Sequence, residues 1–261
     1  MKAMEVNRSK PVLVAANVPS TEFWFASADG LRVACTRWNS EGPGRGVVQI
    51  AHGMGEHVGR YKRLIEALVS SGLTVYGNDH RGHGRTALFS EDLGDFGGGG
   101  FDPLVADMFR LSGIAKEENP GKPFILLGHS MGSFAAQQYV LDHSQAIDGL
   151  ILSGSGALDG LVRVARSAPA GTNILNASFE PARTSLDWLS RDTAMVDAFI
   201  NDPLCFPQLQ PTSFASFLAA RRERPLHEVL VCQCGRLARG LHPMEERRDG
   251  ARHRPNRPWH G

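Results

Sequence analysis

The sequence predicts an α/β fold: a mostly parallel central sheet with helices on both faces, carrying a late helical insertion. Three observations support this. Short apolar runs of strand length alternate with helical patterns from about residue 46 to 156. The runs near the middle are apolar throughout, as strands buried on both faces require. From about Ala157 to Leu218 the alternation stops, and prolines and large apolar residues such as Trp188, Phe199, Phe206, Phe214 and Phe217 scatter instead. The 261 residues, 42% hydrophobic and 21% charged, suffice for one large α/β domain with a sizeable core.

The elements follow in order. "TEFWFAS" and "LRVACTRW", joined by "ADG", read as a β-hairpin. "GVVQIAH", Gly46 to His52, has buried-strand length. Tyr61, Leu64, Ile65, Leu68 and Val69 then share one helical face, and Gly72 is a plausible stop. "LTVYGNDH" is a second buried strand, closed by "RGHGRT", and "GDFGGGG" is a loop. Asp102 is expected as an N-cap with Pro103 at the first helical position; Leu104, Val105, Met108 and Leu111 continue the apolar stripe. "PFILL" is a strand, Ser130 to about His143 an amphipathic helix, and "IDGLILSGSG" a strand. The expected division is a core of residues 1–156 and 219–261 with a helical cap at 157–218.

Charge and composition exclude several functions. A net charge of +1 points to no nucleic-acid partner. No run of about 18 apolar residues exists, so no membrane-spanning helix is expected. "MKAMEVNRSKPVLVAANVPS" lacks an apolar h-region, so no secretory signal is expected. Four cysteines, Cys35, Cys205, Cys232 and Cys234, fit a reduced cytoplasmic protein. The C-x-C pair is too little for a zinc site; no metal and no cofactor are expected.

Gly128-His129-Ser130-Met131-Gly132 fits G-x-S-x-G between a strand and a helix. There the chain must reverse sharply, and side chains two before and two after the serine would collide. The Ser130 hydroxyl is lifted clear at the positive end of the following helix, and the Met131 amide points where an oxyanion would form. Ser130 is therefore the candidate nucleophile. His52-Gly53-Met54-Gly55-Glu56-His57 is the second signal, with the Met54 amide as the other oxyanion donor. The His52 and His57 side chains read as structural, hydrogen-bonded to backbone. Asp79, His80 and His83 read as a turn supporting the site floor, because the glycines between them break metal-ligand geometry. "GGGG" at 97–100 lacks the setting and the lysine of a phosphate loop.

"HGMGEHVGRY", "GNDHRGHGRT" and "GHSMG", in this order, resemble the monoacylglycerol lipase and lysophospholipase group of α/β-hydrolases, the serine aminopeptidase S33-like hydrolases. "SRDTAMVDAFINDPLCF" looks like that group's late cap region. The resemblance runs from about Thr21 to Ala220. It implies an ester hydrolase acting on small acyl esters or monoacylglycerols, with Ser130 as nucleophile, Met54 and Met131 as oxyanion amides, and a peripheral membrane contact through the cap. The elbow leaves aminopeptidase or haloperoxidase activity open, and neither acyl length nor oligomeric state is legible.

After Ala220 the sequence departs from the family pattern. Residues 221–261 hold 10 Arg, no Lys and 5 acids, a net +5 that leaves −4 for the first 220. Arg236 and Leu237 stand where the family's acid is wanted, and His253 in "GARH" is a weak candidate for the histidine because its spacing leaves no room for a strand and helix. Such an end is the expectation for a truncated or frame-shifted product lacking the last strands, and the active site is expected to be impaired. Limited proteolysis should clip within 221–261 first; a protease-resistant, monomeric 261-residue chain would contradict that.

Overall fold

The computed structural model describes residues 18–157 and 181–220, with 160, 162–163, 167 and 175–179 between them and the backbone of 232–233 and 236–237. Strands β1 (Ser20–Ala26) and β2 (Arg32–Trp38) form the expected antiparallel hairpin, with Ala26 opposite Arg32. β2 pairs antiparallel with β4 (Leu73–Asn78), and β4 pairs parallel with β3 (Gly46–Ala51). β5 (Phe124–His129) and β6 (Gly149–Ser153) extend the parallel part, in the order β1-β2-β4-β3-β5-β6. All six residues of the central β3 are buried.

The period-2 alternation of these strands sorts side chains between two cores. Val48, Ile50 and Leu127 face helix α1 (Lys62–Ser70), which buries Ile65 and Val69 against them and Trp38. Ala51 and Leu126 point to the other side, where α2 (Phe101–Glu118) contributes Leu104, Val105 and Met108 and α3 (Met131–His143) contributes Ala135, Ala136 and Tyr139. The sheet thus has helices on both faces. Gly72, at φ +80°, ends α1 as its position in the sequence suggests.

Two local expectations are corrected. Asp102 does not cap α2: the helix starts at Phe101 behind Gly100, and Asp102 accepts a hydrogen bond from Gln138 Nε2 at 2.6 Å. Burial decides the start, because the Phe101 ring packs between Phe96 and Phe217, at 5.8 and 5.2 Å. Nor is α3 amphipathic. Met131, Ser133, Ala135, Ala136, Gln138, Tyr139 and Val140 are all buried, leaving little polar face, since the helix is wedged between the sheet and α2.

Within the insertion, 3-10 turns lie at Ala177–Phe179 and Asp187–Leu189, followed by α4 (Thr193–Ile200) and α5 (Pro211–Leu218). The Asp192 carboxylate caps α4 by accepting from Ala194 N–H, and Pro211 opens α5. Phe217 of α5 reaches Phe134 of α3 at 5.6 Å, which fastens the end of the insertion to the core. In the tail, β7 (Cys232–Gln233) pairs antiparallel with β8 (Arg236–Leu237) and runs beside β6 without joining its ladder. This is the only part of "EVLVCQCG" that is described; His253 lies outside the described residues, as do the side chains of Arg236 and Leu237. Among the described residues, no helix is long and apolar enough to cross a membrane.

A buried ion network locks the turn after β4 to α2 and to the hairpin. Arg81 Nε donates to Asp107 at 2.9 Å, both side chains being 2% exposed, and the same guanidinium reaches Asp29, Ser27 and the Phe96 carbonyl. Removing one member strands the other's charge in the interior. Arg81→Met should therefore lose about 3–5 kcal/mol in urea denaturation, and adding Asp107→Leu should recover most of it.

Candidate active site

The sheet register brings the two glycine-rich turns together. β3 and β5 are parallel neighbours, with Ala51 directly opposite Gly128. The turn leaving β3 at His52 and the turn leaving β5 at His129 therefore emerge side by side at the carboxyl edge, where open parallel sheets bind ligands.

At the β5 turn, Ser130 adopts φ +50° and ψ −121°, the one non-glycine among the described residues with positive φ. Such a conformation costs about 1–3 kcal/mol and persists only when the surroundings enforce it. They do so by close approach. A Cβ on Gly128 would stand 2.5 Å from the Gly132 carbonyl oxygen, and one on Gly132 would stand 2.5 Å from the His52 oxygen and strike that of Ala51. Ser130 N–H donates to the Ser153 carbonyl at 2.9 Å, tying the bend to β6, and Ser133 Oγ donates back to the Ser130 carbonyl at 2.6 Å.

The β3 turn lies directly against this bend. A Cβ on Gly53 would come within 3.3 Å of Ser130 Cβ. Met54 packs on the core cluster that contains Met131, so the two predicted amide donors belong to one side of the molecule. Met131 opens α3, where an N–H has no intrahelical acceptor. Neither the Met54 nor the Met131 amide donates to a protein acceptor among the described residues.

Buried polar groups hold the β3 turn in shape. His80 N–H donates to His52 Nε2 at 2.9 Å, which places the His52 proton on Nδ1, and Nδ1 donates to the Gly53 carbonyl at 2.8 Å. His52 is thus hydrogen-bonded to backbone, as its sequence position suggests. His83 stacks 5.2 Å from it, and its Nδ1 meets the Arg81 carbonyl. Burial pushes the His52 imidazole down to about 4 and His83 to about 3, so both are neutral near pH 7. Asp79 accepts from Val58 N–H and from the backbone and guanidinium of Arg85. Burial alone would raise the Asp79 carboxyl, but Arg85 and the nearby histidines hold it down at about 2.

Sequence reasoning missed three contributors. Glu56 Oε1 accepts from Gly53 N–H at 2.8 Å and from the Tyr61 hydroxyl at 2.7 Å, pinning the first glycine of the loop. His57 meets a side chain rather than backbone: its Nε2 lies 2.9 Å from Asp202 Oδ2, across from the insertion. Phe206 N–H donates to the Gly55 carbonyl at 2.9 Å. The Glu56 role was signalled by its place three residues after Gly53; Asp202 and Phe206 carried no local signal.

What the described residues do not supply is a partner for the Ser130 hydroxyl. Ser130 Oγ makes no hydrogen bond among them, and His129 is turned aside, with Nδ1 at 3.1 Å from Ser153 Oγ.

This sheet order, the strained serine at the strand-to-helix bend and the glycine loop beside it define an α/β-hydrolase. The chain belongs to the serine aminopeptidase S33 family, whose sequence model matches residues 42–224. A monoacylglycerol lipase of Mycolicibacterium smegmatis is 33% identical over 203 residues, covering 76% of this chain and 70% of that protein. Monoglyceride lipase of Homo sapiens is 30% identical over 185 residues, 69% of this chain and 59% of that one. The crystal structure of a thermostable carboxyl esterase from Bacillus coagulans in complex with glycerol matches with TM-score 0.65 at 29% identity, over 77% of this chain and 72% of that chain. The chain thus spans less than two thirds of the human relative.

The buried neutral histidines set a pH dependence. Unfolded histidine titrates at 6.5 and folded His52 at about 4, so between these values the unfolded chain binds more protons. His52 stabilisation is complete above about pH 6.5 and is lost as pH falls through 4; its size is on the order of 3 kcal/mol. Asp79 adds a second loss from about pH 4 to 2. The urea midpoint should fall continuously below pH 6.5; a midpoint constant down to pH 4 would contradict this.

Proposed function

We propose that this chain is a serine ester hydrolase of the monoacylglycerol lipase type, cleaving small acyl esters or monoacylglycerols through an acyl-enzyme on Ser130, with low turnover. The observation that carries this reading is the strained Ser130 bend set against a loop that leaves the Met54 and Met131 amides free of protein acceptors. The names of the relatives support the substrate class.

In the proposed reaction Ser130 Oγ attacks the ester carbonyl, its proton passes to a base, and the Met54 and Met131 amides stabilise the oxyanion. The alcohol leaves with a proton, and water then cleaves the acyl-enzyme and restores the hydroxyl. A serine hydroxyl is a weak nucleophile without a base, and losing a triad member costs on the order of 10⁴–10⁶ in turnover. The absence of a hydrogen-bond partner for Ser130 Oγ among the described residues supports the low turnover. It also favours the second reading, an α/β-hydrolase-like protein that binds acyl ligands without turnover.

Residues 157–218 form the cap in this proposal, over a core of 1–156 and 219–261. Phe179, Met195 and Ile200, each more than a third exposed, support a peripheral membrane contact through the cap. The few cysteines, with Cys35 and Cys205 free, support a cytoplasmic location.

Hydrolysis of a short p-nitrophenyl ester tests the reading. The chain should run within about tenfold of Ser130→Ala, given the triad cost above, and should label slowly with a fluorophosphonate. Brisk turnover that Ser130→Ala abolishes would overturn the low-turnover reading and reveal a base. A non-hydrolysable monoalkylglycerol ether should still bind, read by tryptophan fluorescence; absence of binding, labelling and turnover together would overturn the proposal.

A further inference from the structure

One cluster of metal-type donors has no role in the proposed reaction. His57, Asp202 and Cys205 each offer one ligand atom, and the three atoms lie within 4.8 Å of one another. They come from two elements distant in sequence: the turn after β3 and the connection between α4 and α5. We propose that they form a binding site for one borderline-soft divalent cation, zinc by preference, that joins the insertion to the β3 turn.

The donor set is what zinc takes: one imidazole nitrogen, one carboxylate oxygen and one thiolate, leaving a fourth position for water. Zinc bonds of about 2.0–2.3 Å in a tetrahedron place neighbouring donors about 3.3–3.7 Å apart. His57 Nε2 and Asp202 Oδ2 stand at 2.9 Å. They need only spread by a few tenths of an ångström while the sulfur draws in by about 1 Å.

The surrounding backbone is already set for this. Leu204 N–H occupies Asp202 Oδ1 at 3.0 Å, which leaves Oδ2 directed at His57. Cys205 N–H donates to the Asp202 carbonyl at 3.0 Å, and the next residue, Phe206, is tied to Gly55. The His57 side chain is 4% exposed, so the imidazole is held in a fixed place.

Charge favours a dication. Ionised Asp202 and Cys205 supply two negative charges. Arg60, the nearest cation, is placed against Glu56, with Nε 3.6 Å from Oε2, and lies over the Phe199 ring. Without a cation, burial and the Asp202 charge push the Cys205 thiol far up, so the sulfur stays protonated; a bound cation would reverse that preference. The other histidine cluster offers nothing comparable, because both His52 ring nitrogens are engaged.

The test uses the full chain in a Cys232→Ser/Cys234→Ser background, which removes the C-x-C thiols. Titration with cobalt(II) should give one ion per chain and a thiolate-to-cobalt charge-transfer band that zinc displaces. Cys205→Ser should abolish the band, and Asp202→Asn should weaken cobalt binding by at least about tenfold. Zinc should raise the melting temperature of the background protein and leave that of Cys205→Ser unmoved. No band in the background protein overturns the proposal, as does a band that survives Cys205→Ser. A band present only while Cys232 and Cys234 remain assigns the metal to those thiols and also overturns it.

Discussion

The contact between the first turn of α3 and the end of β3 governs the rest of the site. Gly132 meets the carbonyls of Ala51 and His52 so closely that no side chain fits. Because the helix presses on the strand end, the chain has no room to turn gradually, and Ser130 is forced into positive φ. The strain of about 1–3 kcal/mol is offset by the buried sheet beneath, whose central strand is wholly enclosed. The same contact fixes the distance between the two turns, since one glycine serves as the spacer for both.

Beneath that contact lies a polar layer where an apolar core would be the simpler solution. His52, His80 and His83 are fully buried and stacked, with ring centroids 4.1 to 6.4 Å apart. Burial keeps them neutral, so each ring nitrogen has a defined role as donor or acceptor. In His52 the two roles run from the His80 amide to the Gly53 carbonyl, and the turn after β3 inherits its orientation from the turn after β4. Glu56 and Tyr61 hold the other side of Gly53. The proposed oxyanion amide of Met54 sits one residue beyond a peptide fixed from both sides.

Much of this was legible in the sequence because it is local. The strands from Gly46, Leu73, Phe124 and Gly149 announce themselves by apolar runs, and the bend at Ser130 by glycines two before and two after. The adjacency of Met54 and Met131 followed from strand order, which the alternation implies. What failed was decided by tertiary packing. Asp102 has the form of a cap, yet the burial of Phe101 moved the helix start. The apolar spacing of α3 suggested one buried face, but its place between sheet and α2 buries nearly all of it. The pairing of His57 with Asp202 spans 145 residues and leaves no trace in local pattern.

The Phe206–Gly55 hydrogen bond and the His57–Asp202 pair mean that the insertion does not simply lie over the cleft. It grips the same five-residue turn whose peptide planes line the cleft floor. Roof and floor are therefore mechanically one part: a displacement of the roof that admits a bulkier guest tilts the floor with it. Exchanging this insertion for a relative's would alter more than which guests enter, because the borrowed roof would have to rebuild both fastenings before the floor regained its pitch.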